Sequence, residues 1–223
     1  FEEATMNESK SKLILVDDHP LLRKGVRQLL ALEDDMEVVG EASNGRDAVE
    51  LVKRQGQDVD LVLLDLSMKG MDGIETLREM REAGVCCRIV VFTVSDESKD
   101  MLAAFKAGAD GYLLKDMEPA ELVERIRDAC IGKMVLSHEL TEVLAKAFRD
   151  NARQEQDSGY DALTRREKEI LRMVSAGLSN KLIGRELDIA EATVKVHVKH
   201  LLKKLGLRSR VEAAVWAVEH KKN

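Results

Sequence analysis

The sequence predicts an α/β domain with a parallel sheet, followed by a smaller domain built only from helices. In the first half, short apolar runs rich in β-branched residues alternate with amphipathic helical stretches, which is the pattern of repeated β/α units. Beyond about residue 160 the apolar residues recur only at helical spacing. The charge changes there too, because residues 161–223 carry 14 Lys and Arg against 8 Asp and Glu, whereas the other 160 residues carry 21 against 33. A basic helical segment behind an acidic body indicates two domains, of which the smaller one faces a polyanion.

Five segments of the first half have the composition of strands: Leu13–Val16, Glu37–Gly40, Leu61–Leu64, Arg88–Phe92 and Gly111–Leu114. Amphipathic helical patterns lie between them, so we expect five β/α units in an open parallel sheet with helices on both faces. Polar residues 149–159 have no apolar periodicity and are predicted to be a linker, entered from a helix over about Glu139–Phe148. Four helical segments are predicted after the linker.

The composition suits a soluble protein. Of the 223 residues 44% are hydrophobic and 34% charged, and no apolar run approaches the roughly 18 residues of a membrane span. Phe1–Thr5 lacks the basic and apolar stretches of a signal peptide, so a cytoplasmic location without membrane contact is expected. Three cysteines cannot all pair internally, and we expect reduced thiols. A redox or metal role is the alternative, although the spacing typical of metal ligands is missing.

Polar side chains follow the predicted strands at their carboxyl ends. Asp17 and Asp18 come after the first strand, Asp65 after the third, Thr93 after the fourth, and Lys115 just past the fifth. Ligands of open α/β sheets bind outside these ends, so the five side chains are expected to share one site. Three carboxylates would repel each other there. Mg²⁺, which prefers carboxylate and carbonyl oxygens, would relieve that repulsion, and we predict a magnesium site.

The same residues suit phosphoryl transfer. A cation, the Lys115 ammonium and the Thr93 hydroxyl would neutralise charge on the transferred group, while the Asp65 carboxylate attacks it. Each residue also has an ordinary structural explanation, since a lone aspartate at a strand end is usually a cap or a loop residue. His19 could be a further metal ligand, but Pro20 after it suits a first helical turn, so a role in helix initiation is favoured.

Four motifs in the first half resemble the receiver domain of two-component response regulators: LVDDHP, LVLLDLSMKGMDG, VFTVS and GADGYLLKD. The resemblance spans residues 12–133 and implies a flavodoxin-like (βα)5 fold. It also implies that Asp65 accepts phosphate from a sensor histidine kinase. Mg²⁺ would be held by Asp18, Asp65 and the backbone carbonyl of Ser67, with Asp17 helping through water.

The resemblance further implies a switch pair and shows one departure. The Thr93 hydroxyl would move to the phosphoryl oxygen, and the Tyr112 ring would turn inward. Most receivers have proline where this chain has Lys69, after Met68. Proline would restrict φ and stiffen the loop, so Lys69 is expected to loosen it and to add a positive charge near the carboxylates.

The helical half contains a helix-turn-helix pattern. Thr164 is predicted to cap a helix, with Glu167 three residues later completing a capping box. That helix is expected to end at Gly177. Ser179 is predicted to cap a short helix over 180–187, which the turn LDIAEA joins to a longer helix ending at Leu205. Two helices joined by a tight turn, the second one basic, are typical of DNA-binding proteins.

The longer helix has two different faces. A continuous apolar stripe is predicted to be buried: Val194, Val198, Leu201, Leu202 and Leu205. Another side carries the lysine stripe, defined here as Lys195, Lys199 and Lys203, with Val196 beside it. A charged stripe is usually only a solvated face, but this helix is almost free of acids after Glu191. We expect it to enter the major groove of double-stranded DNA, where lysines contact guanine or phosphates and valine meets a thymine methyl.

Residues 160–220 resemble the LuxR-type helix-turn-helix of NarL/FixJ response regulators, particularly in TVKVHVKHLLKKL and SRVEAAVW. The resemblance assigns base contacts to Lys195, Val196 and Lys199 and a homodimer contact to the last helix, about Ser209–His220. Within this family the motifs resemble the nitrate/nitrite response regulators, which implies nitrate- or nitrite-responsive transcription control. The implied domains are a receiver over 12–133, a connecting helix and linker over 134–159, and a DNA-binding domain over 160–223.

Two residues of the helix-turn-helix depart from the family pattern. Ala190 replaces a usual hydroxyl cap, a change that costs on the order of 1 kcal/mol. Gly184 stands where alanine is common and would weaken its helix by up to about 1 kcal/mol. A softer domain is therefore expected, in which Gly184→Ala raises the melting temperature.

Two other function classes deserve comparison. A haloacid-dehalogenase-type phosphatase also phosphorylates an aspartate beside Mg²⁺, but it needs a second aspartate two residues later, where this chain has Ser67. A receiver acting only through protein partners leaves the lysine stripe unexplained. The predicted function is a phosphorylation-controlled transcription factor that is not an enzyme. Its unphosphorylated first domain is expected to cover the Lys195–Lys203 face and to release it on phosphorylation.

Overall fold

The computed structural model describes residues 10–55, 58–133, 135 and 160–219. The predicted connecting helix Glu139–Phe148 and the linker 149–159 lie outside these residues. None of the helices in the described ranges is long and apolar enough to cross a membrane.

Five parallel strands form one sheet in the order β2-β1-β3-β4-β5. The strands are β1 (Ser11–Val16), β2 (Met36–Ala42), β3 (Leu61–Leu64), β4 (Arg88–Thr93) and β5 (Gly111–Leu114). This confirms the predicted flavodoxin-like sheet, although three strands are longer than predicted. The order reverses between β1 and β3, which is where doubly wound sheets open a crevice for ligands.

Helices cover both faces of the sheet: α1 (Pro20–Leu30), α2 (Gly45–Gln55), α3 (Gly73–Glu82), α4 (Ser98–Ala107) and α5 (Pro119–Ile131). Strand β3 shows why its sequence is apolar throughout. Leu61 and Leu63 point into the core shared with α1 and α5, whereas Val62 and Leu64 point into the core shared with α2, α3 and α4. All four are at most 3% exposed, as expected for a central parallel strand.

The second domain is helical, as predicted: α6 (Arg165–Ser175), α7 (Asn180–Leu187), α8 (Glu191–Leu205) and α9 (Arg210–Glu219). Its core is separate from the two cores of the sheet domain. The capping box at the start of α6 is present, because the Thr164 hydroxyl accepts from Glu167 N and the Glu167 carboxylate accepts from Thr164 N. Ser179 caps α7 through Leu182 N. These local signals placed the helix starts correctly.

The expectation for Gly184 is wrong. A Cβ added there would lie 2.7 Å from the backbone oxygen of Ile189, which real side chains essentially never tolerate. The two residues are also joined by a 2.9 Å hydrogen bond from Ile189 N to Gly184 O, which pulls the turn onto the helix. Glycine is therefore required for the close approach of α7 and the turn. Ala190, in contrast, behaves as predicted and provides no side-chain cap for α8.

Candidate functional site: an acidic pocket and a basic helix

The strand ends bring three carboxylates together in what we call the acidic pocket, formed by Asp17, Asp18 and Asp65. One ligand atom from each of these residues and from His19 lies within 4.8 Å of the others. Asp17 is 6% exposed and Asp65 is 1% exposed. The backbone of Asp65 continues the ladder past β3, since its N–H donates to Val16 O at 2.9 Å. The three acids lie together at the carboxyl ends of the strands, where the sequence analysis expected them, and this end of β1 and β3 is also where the strand order reverses.

Lys115 neutralises part of the pocket. Its Nζ lies 2.8 Å from Asp17 Oδ2 and 2.7 Å from Asp65 Oδ2, and its side chain is 7% exposed. The lysine is placed there by the end of β5, where Lys115 N donates to Thr93 O at 2.8 Å. One ammonium faces three carboxylates, so the arrangement favours an additional cation.

The remaining carboxylate oxygens have contrasting surroundings. Asp65 Oδ1 accepts a hydrogen bond from Ser67 N at 3.1 Å, and Asp18 Oδ2 accepts from Lys69 N at 3.1 Å. Asp18 Oδ1 is buried and receives no aligned hydrogen bond from the described residues. The loop after β3 therefore supplies backbone donors to two of the three acids.

His19 plays a larger part at the site than the sequence indicated. It is the N-cap of α1, as predicted, but it makes no side-chain cap bond. Its Nδ1 lies 3.0 Å from Asp18 Oδ1 and 3.3 Å from Asp17 Oδ1, while 66% of its side chain is exposed. The ring can thus shield the mouth of the pocket.

Arg23 was missed altogether in the sequence. Its guanidinium donates to the backbone oxygen of Asp17 and, at 3.0 Å, to Glu41 Oε2. It holds the loop between β1 and α1 against β2. A basic residue one helical turn after the acidic pair was the only signal available, and such a residue is common on any solvent-facing helix.

Thr93 and Tyr112 meet at a common residue. The Thr93 hydroxyl accepts a long hydrogen bond from Ser95 N at 3.4 Å, and the Tyr112 hydroxyl donates to Ser95 O at 2.9 Å. The Tyr112 ring is 2% exposed, so it already lies inward. Burial raises the pKa of Tyr112 to about 12, and the protonated hydroxyl is the donor in this bond. The resemblance implied that this ring turns inward on phosphorylation, but the ring is already buried in this structure.

The basic helix α8 has an apolar and a charged face, but its apolar stripe is only partly buried as predicted. Val194, Val198 and Leu201 are at most 4% exposed, whereas Leu202 and Leu205 are only half-buried against the same core. Val196, beside the lysine stripe, is 48% exposed. Lys199 and Lys203 are exposed as well.

Helix α8 lies against the sheet domain at the end where the strands begin. Lys195 Nζ pairs with Asp60 Oδ1 at 3.2 Å, just before β3. A Cβ added at Gly84, after α3, would lie 3.2 Å from Lys199 Nζ. Helix α9 also takes part, because Val211 is 8% exposed and belongs to the apolar cluster of the sheet domain.

The cysteines are all free thiols. Burial raises the pKa of Cys87 and of Cys130 to about 12, and burial also raises the pKa of Cys86. A thiol with a raised pKa is mostly protonated at neutral pH and a poor nucleophile or metal ligand. The reduced structural role expected from the sequence fits these surroundings.

Comparison with known proteins matches the two halves to two families. Residues 13–127 match the response regulator receiver domain, and residues 161–217 match bacterial regulatory proteins of the luxR family. The chain is 53% identical to the nitrate/nitrite response regulator protein NarL of Escherichia coli (strain K12), over 94% of this chain and 96% of that protein. It is 47% identical to the nitrate/nitrite response regulator protein NarP of the same strain, over 92% and 93%.

A solved structure matches part of the chain. A two-component response regulator of the LuxR family from Aurantimonas sp. SI85-9A1 aligns with a TM-score of 0.56 at 36% sequence identity, covering 62% of this chain and 98% of that chain. The family matches span both domains, and the two relatives are named as response regulator proteins over nearly their whole length. The chain therefore belongs to the two-component response regulators that join a receiver domain to a luxR-type helix-turn-helix DNA-binding domain.

Proposed function

We propose that Asp65 is the phosphoacceptor of a switch that controls DNA binding by α8. The observation that carries this proposal is the environment of Asp65, a carboxylate 1% exposed at a strand end, 2.7 Å from the Lys115 ammonium and beside two further acids. The carboxylate is the nucleophile, and Lys115 balances charge on the arriving group. The phosphoryl donor is a sensor histidine kinase, the partner class of receiver domains.

Mg²⁺ is the cofactor that fits the acidic pocket. Three carboxylates against one ammonium leave excess negative charge, and the buried Asp18 Oδ1 has no aligned donor within the described part of the chain. Asp18, Asp65 and the backbone carbonyl of Ser67 would hold the ion, with Asp17 contributing through water. When bound, Mg²⁺ neutralises charge on the phosphoryl oxygens. His19 is not proposed as a ligand, since a hard cation prefers oxygen ligands, and its ring covers the mouth of the pocket.

The switch pair is Thr93 and Tyr112, and Ser95 joins them. Movement of the Thr93 hydroxyl toward a phosphoryl oxygen breaks its long bond with Ser95 N. Because Tyr112 donates to Ser95 O, the same movement disturbs the tyrosine. The loop after β4 thereby carries the signal to the α4 side of the receiver.

The test of the acceptor is intact mass after incubation with acetyl phosphate and Mg²⁺. Wild type is expected to gain one phosphoryl group, and Asp65→Asn none. Asp58→Asn, which changes an exposed carboxylate at the opposite end of β3, serves as the control and is expected to behave as wild type. Equal phosphorylation of wild type and Asp65→Asn would refute the assignment.

For DNA binding, we propose that the lysine stripe and Val196 enter the major groove. The charge, the exposure of Val196 and the luxR-type domain support this. The protein binds as a homodimer through the last helix, about Ser209–His220, of which residues after 219 lie outside the described range. Replacing Lys199 by Ala is expected to lower DNA affinity and to reduce its salt dependence, as loss of a cationic contact does.

The closed arrangement explains the control. Lys195 is paired with Asp60, and the Lys199 ammonium lies against Gly84, so a duplex cannot contact both lysines unless the receiver moves away. Phosphorylation at Asp65 opens the two domains through residues 134–159. Phosphorylated full chain is expected to bind operator DNA more tightly than unphosphorylated chain, and equal affinities would refute masking.

The regulated process is nitrate- or nitrite-responsive transcription in the cytoplasm. The support is the identity to relatives named as nitrate/nitrite response regulators over nearly their whole length. In an Escherichia coli strain lacking its own NarL and NarP, this chain is expected to restore a nitrate-dependent reporter, and the Asp65→Asn variant is not. No restoration by wild type would refute the signal assignment and leave the phosphoacceptor proposal to its own test.

A further inference from the structure

The two oxygens of the Asp18 carboxylate are held differently. Oδ2 accepts a hydrogen bond from the backbone N–H of Lys69 at 3.1 Å. Oδ1 is buried, receives no aligned hydrogen bond from the described residues, and has only the His19 ring nitrogen nearby at 3.0 Å. The side chain as a whole is 15% exposed. One oxygen is therefore fixed by the backbone, and the other remains available inside the pocket.

The donor exists only because residue 69 is not proline. Proline has no backbone N–H, and the receivers that this chain resembles commonly have proline at this position. The loop around the donor is well anchored, because Met68 is 7% exposed and its N–H donates to Leu66 O at 3.1 Å. Gly70 then turns the chain away with a φ of +85°. The loop thus presents the amide of Lys69 to the carboxylate.

We propose that the backbone N–H of Lys69 is a positioning group for the metal ligand Asp18. By fixing Oδ2 it holds the carboxylate with Oδ1 turned toward the other acids, ready to bind Mg²⁺. Ligating carboxylates that are themselves hydrogen-bonded bind metals better, and loss of such a partner typically costs about 10- to 100-fold in affinity. The inference rests on the proposed function, since it assumes that the acidic pocket binds Mg²⁺.

The side chain of Lys69 acts in the opposite direction. It is exposed and adds a positive charge near a site for a cation, which disfavours binding slightly because exposed charges are well screened. Lys69→Ala removes this charge and keeps the N–H. Lys69→Pro removes both. The difference in Mg²⁺ affinity between the two variants therefore reports the loss of the backbone donor combined with the restriction of φ that proline brings.

The experiment is calorimetric titration of the full-length protein with MgCl₂. The affinity of Lys69→Ala is expected to lie within about twofold of wild type, and that of Lys69→Pro to be about tenfold weaker or more. Equal affinities of Lys69→Pro and Lys69→Ala would overturn the role of Lys69. Absence of Mg²⁺ binding by wild type would instead overturn the metal site itself, so the two failures are distinguishable.

A second measurement needs no proline and no metal. Hydrogen exchange of the Lys69 amide, followed by NMR in the Mg²⁺-free wild type, is expected to be slow, and replacing Asp18 by Ala is expected to speed it. Fast exchange in wild type, or exchange unchanged in the Asp18→Ala variant, would show that the hydrogen bond does not hold the carboxylate. This measurement stands even where Lys69→Pro fails to fold.

Discussion

Lys115 shows at the scale of a residue how much depends on one buried charge. It lies within 2.8 Å of two carboxylates that are almost inaccessible to water. Removing one partner of a buried ion pair leaves charge without compensation, which costs several kcal/mol. The lysine is therefore a structural requirement of the receiver as well as part of its chemistry.

Lys115→Met is expected to lower the free energy of unfolding at neutral pH by about 3 kcal/mol. Mg²⁺ should restore part of this loss, because it neutralises the same carboxylates. Urea denaturation with and without Mg²⁺ measures both effects.

Lys133→Met is the matched control. Lys133 Nζ lies 2.7 Å from Asp128 Oδ1, a distance equal to one of those in the pocket, but 60% of its side chain is exposed. Exposed pairs contribute about 0–1 kcal/mol, so this variant should be nearly as stable as wild type. A similar small loss for Lys115→Met would contradict the importance given to burial.

At the scale of an element, the turn between α7 and α8 depends on the absence of a side chain. Gly184→Ala gains helix propensity, but its Cβ would meet the Ile189 oxygen at 2.7 Å. The expected loss of stability is on the order of 1–3 kcal/mol, as in overpacked sites. Thermal unfolding followed by the fluorescence of Trp216, the only tryptophan, reports this domain.

Gly25→Ala in α1 provides the comparison. No atom lies within 4 Å of a Cβ added at Gly25, so only the propensity gain remains. Its expected effect is a stabilisation of about 0.5–1 kcal/mol, measured by circular dichroism. If Gly184→Ala raised the melting temperature as Gly25→Ala does, the turn would have to move aside for the added Cβ without loss of stability.

The start of α6 makes the second domain sensitive to acid. Burial raises the pKa of Glu167, but hydrogen bonds from Lys204 and from Thr164 outweigh it and the net pKa is lowered. A lowered pKa in the folded state contributes stability above the unfolded value of about 4.3, and this contribution is lost as the pH falls through the folded pKa.

Glu167→Gln is therefore expected to destabilise the domain at pH 7. At pH values below the folded pKa of Glu167, the variant and wild type are expected to be about equally stable. Gln keeps an acceptor for Thr164 N but loses the 2.7 Å ion pair with Lys204. Urea midpoints by Trp216 fluorescence at several pH values test this. A difference between variant and wild type that stays constant down to low pH would rule out the ionic contribution.

At the scale of the whole molecule, the Asp60–Lys195 pair contributes to the closed state. Both side chains are about one-quarter exposed, so the pair contributes up to about 1 kcal/mol, equivalent to at most about a fivefold change in opening. Asp60→Asn is expected to raise the DNA affinity of unphosphorylated protein by up to that factor. Asn retains an oxygen for Lys12 N, which donates to Asp60 Oδ2 at 2.9 Å.

Asp58→Asn controls for the loss of one negative charge near DNA. Asp58 is exposed, two residues from Asp60, and its variant should bind as wild type in an electrophoretic mobility assay. Equal gains for the two variants would attribute the effect to overall charge and not to release of Lys195.

The features that the sequence predicted are local or follow from sheet geometry. Strand positions follow from apolar runs, helix starts from Thr164 and Ser179, and the pocket from the rule that parallel strands end at one edge. The features that it missed depend on contacts that residue type does not specify. Gly184 was misjudged because its Cβ position faces the backbone oxygen of Ile189 in the following turn. The role of the Lys69 N–H was missed because lysine in place of proline shows that a donor exists but not that it meets Asp18, 51 residues away.

Val211 gives the last helix two competing uses. Its side chain is buried in the apolar cluster of the receiver, within the segment proposed for pairing two copies on DNA. The helix cannot pack against its own receiver and against a second copy at the same time. Closure within one chain and dimer formation between two chains therefore compete for the same surface. A first copy held open on DNA offers its helix to a second, which favours opening of the second. The occupancy of paired sites should therefore rise more steeply with the concentration of phosphorylated protein than the occupancy of single sites.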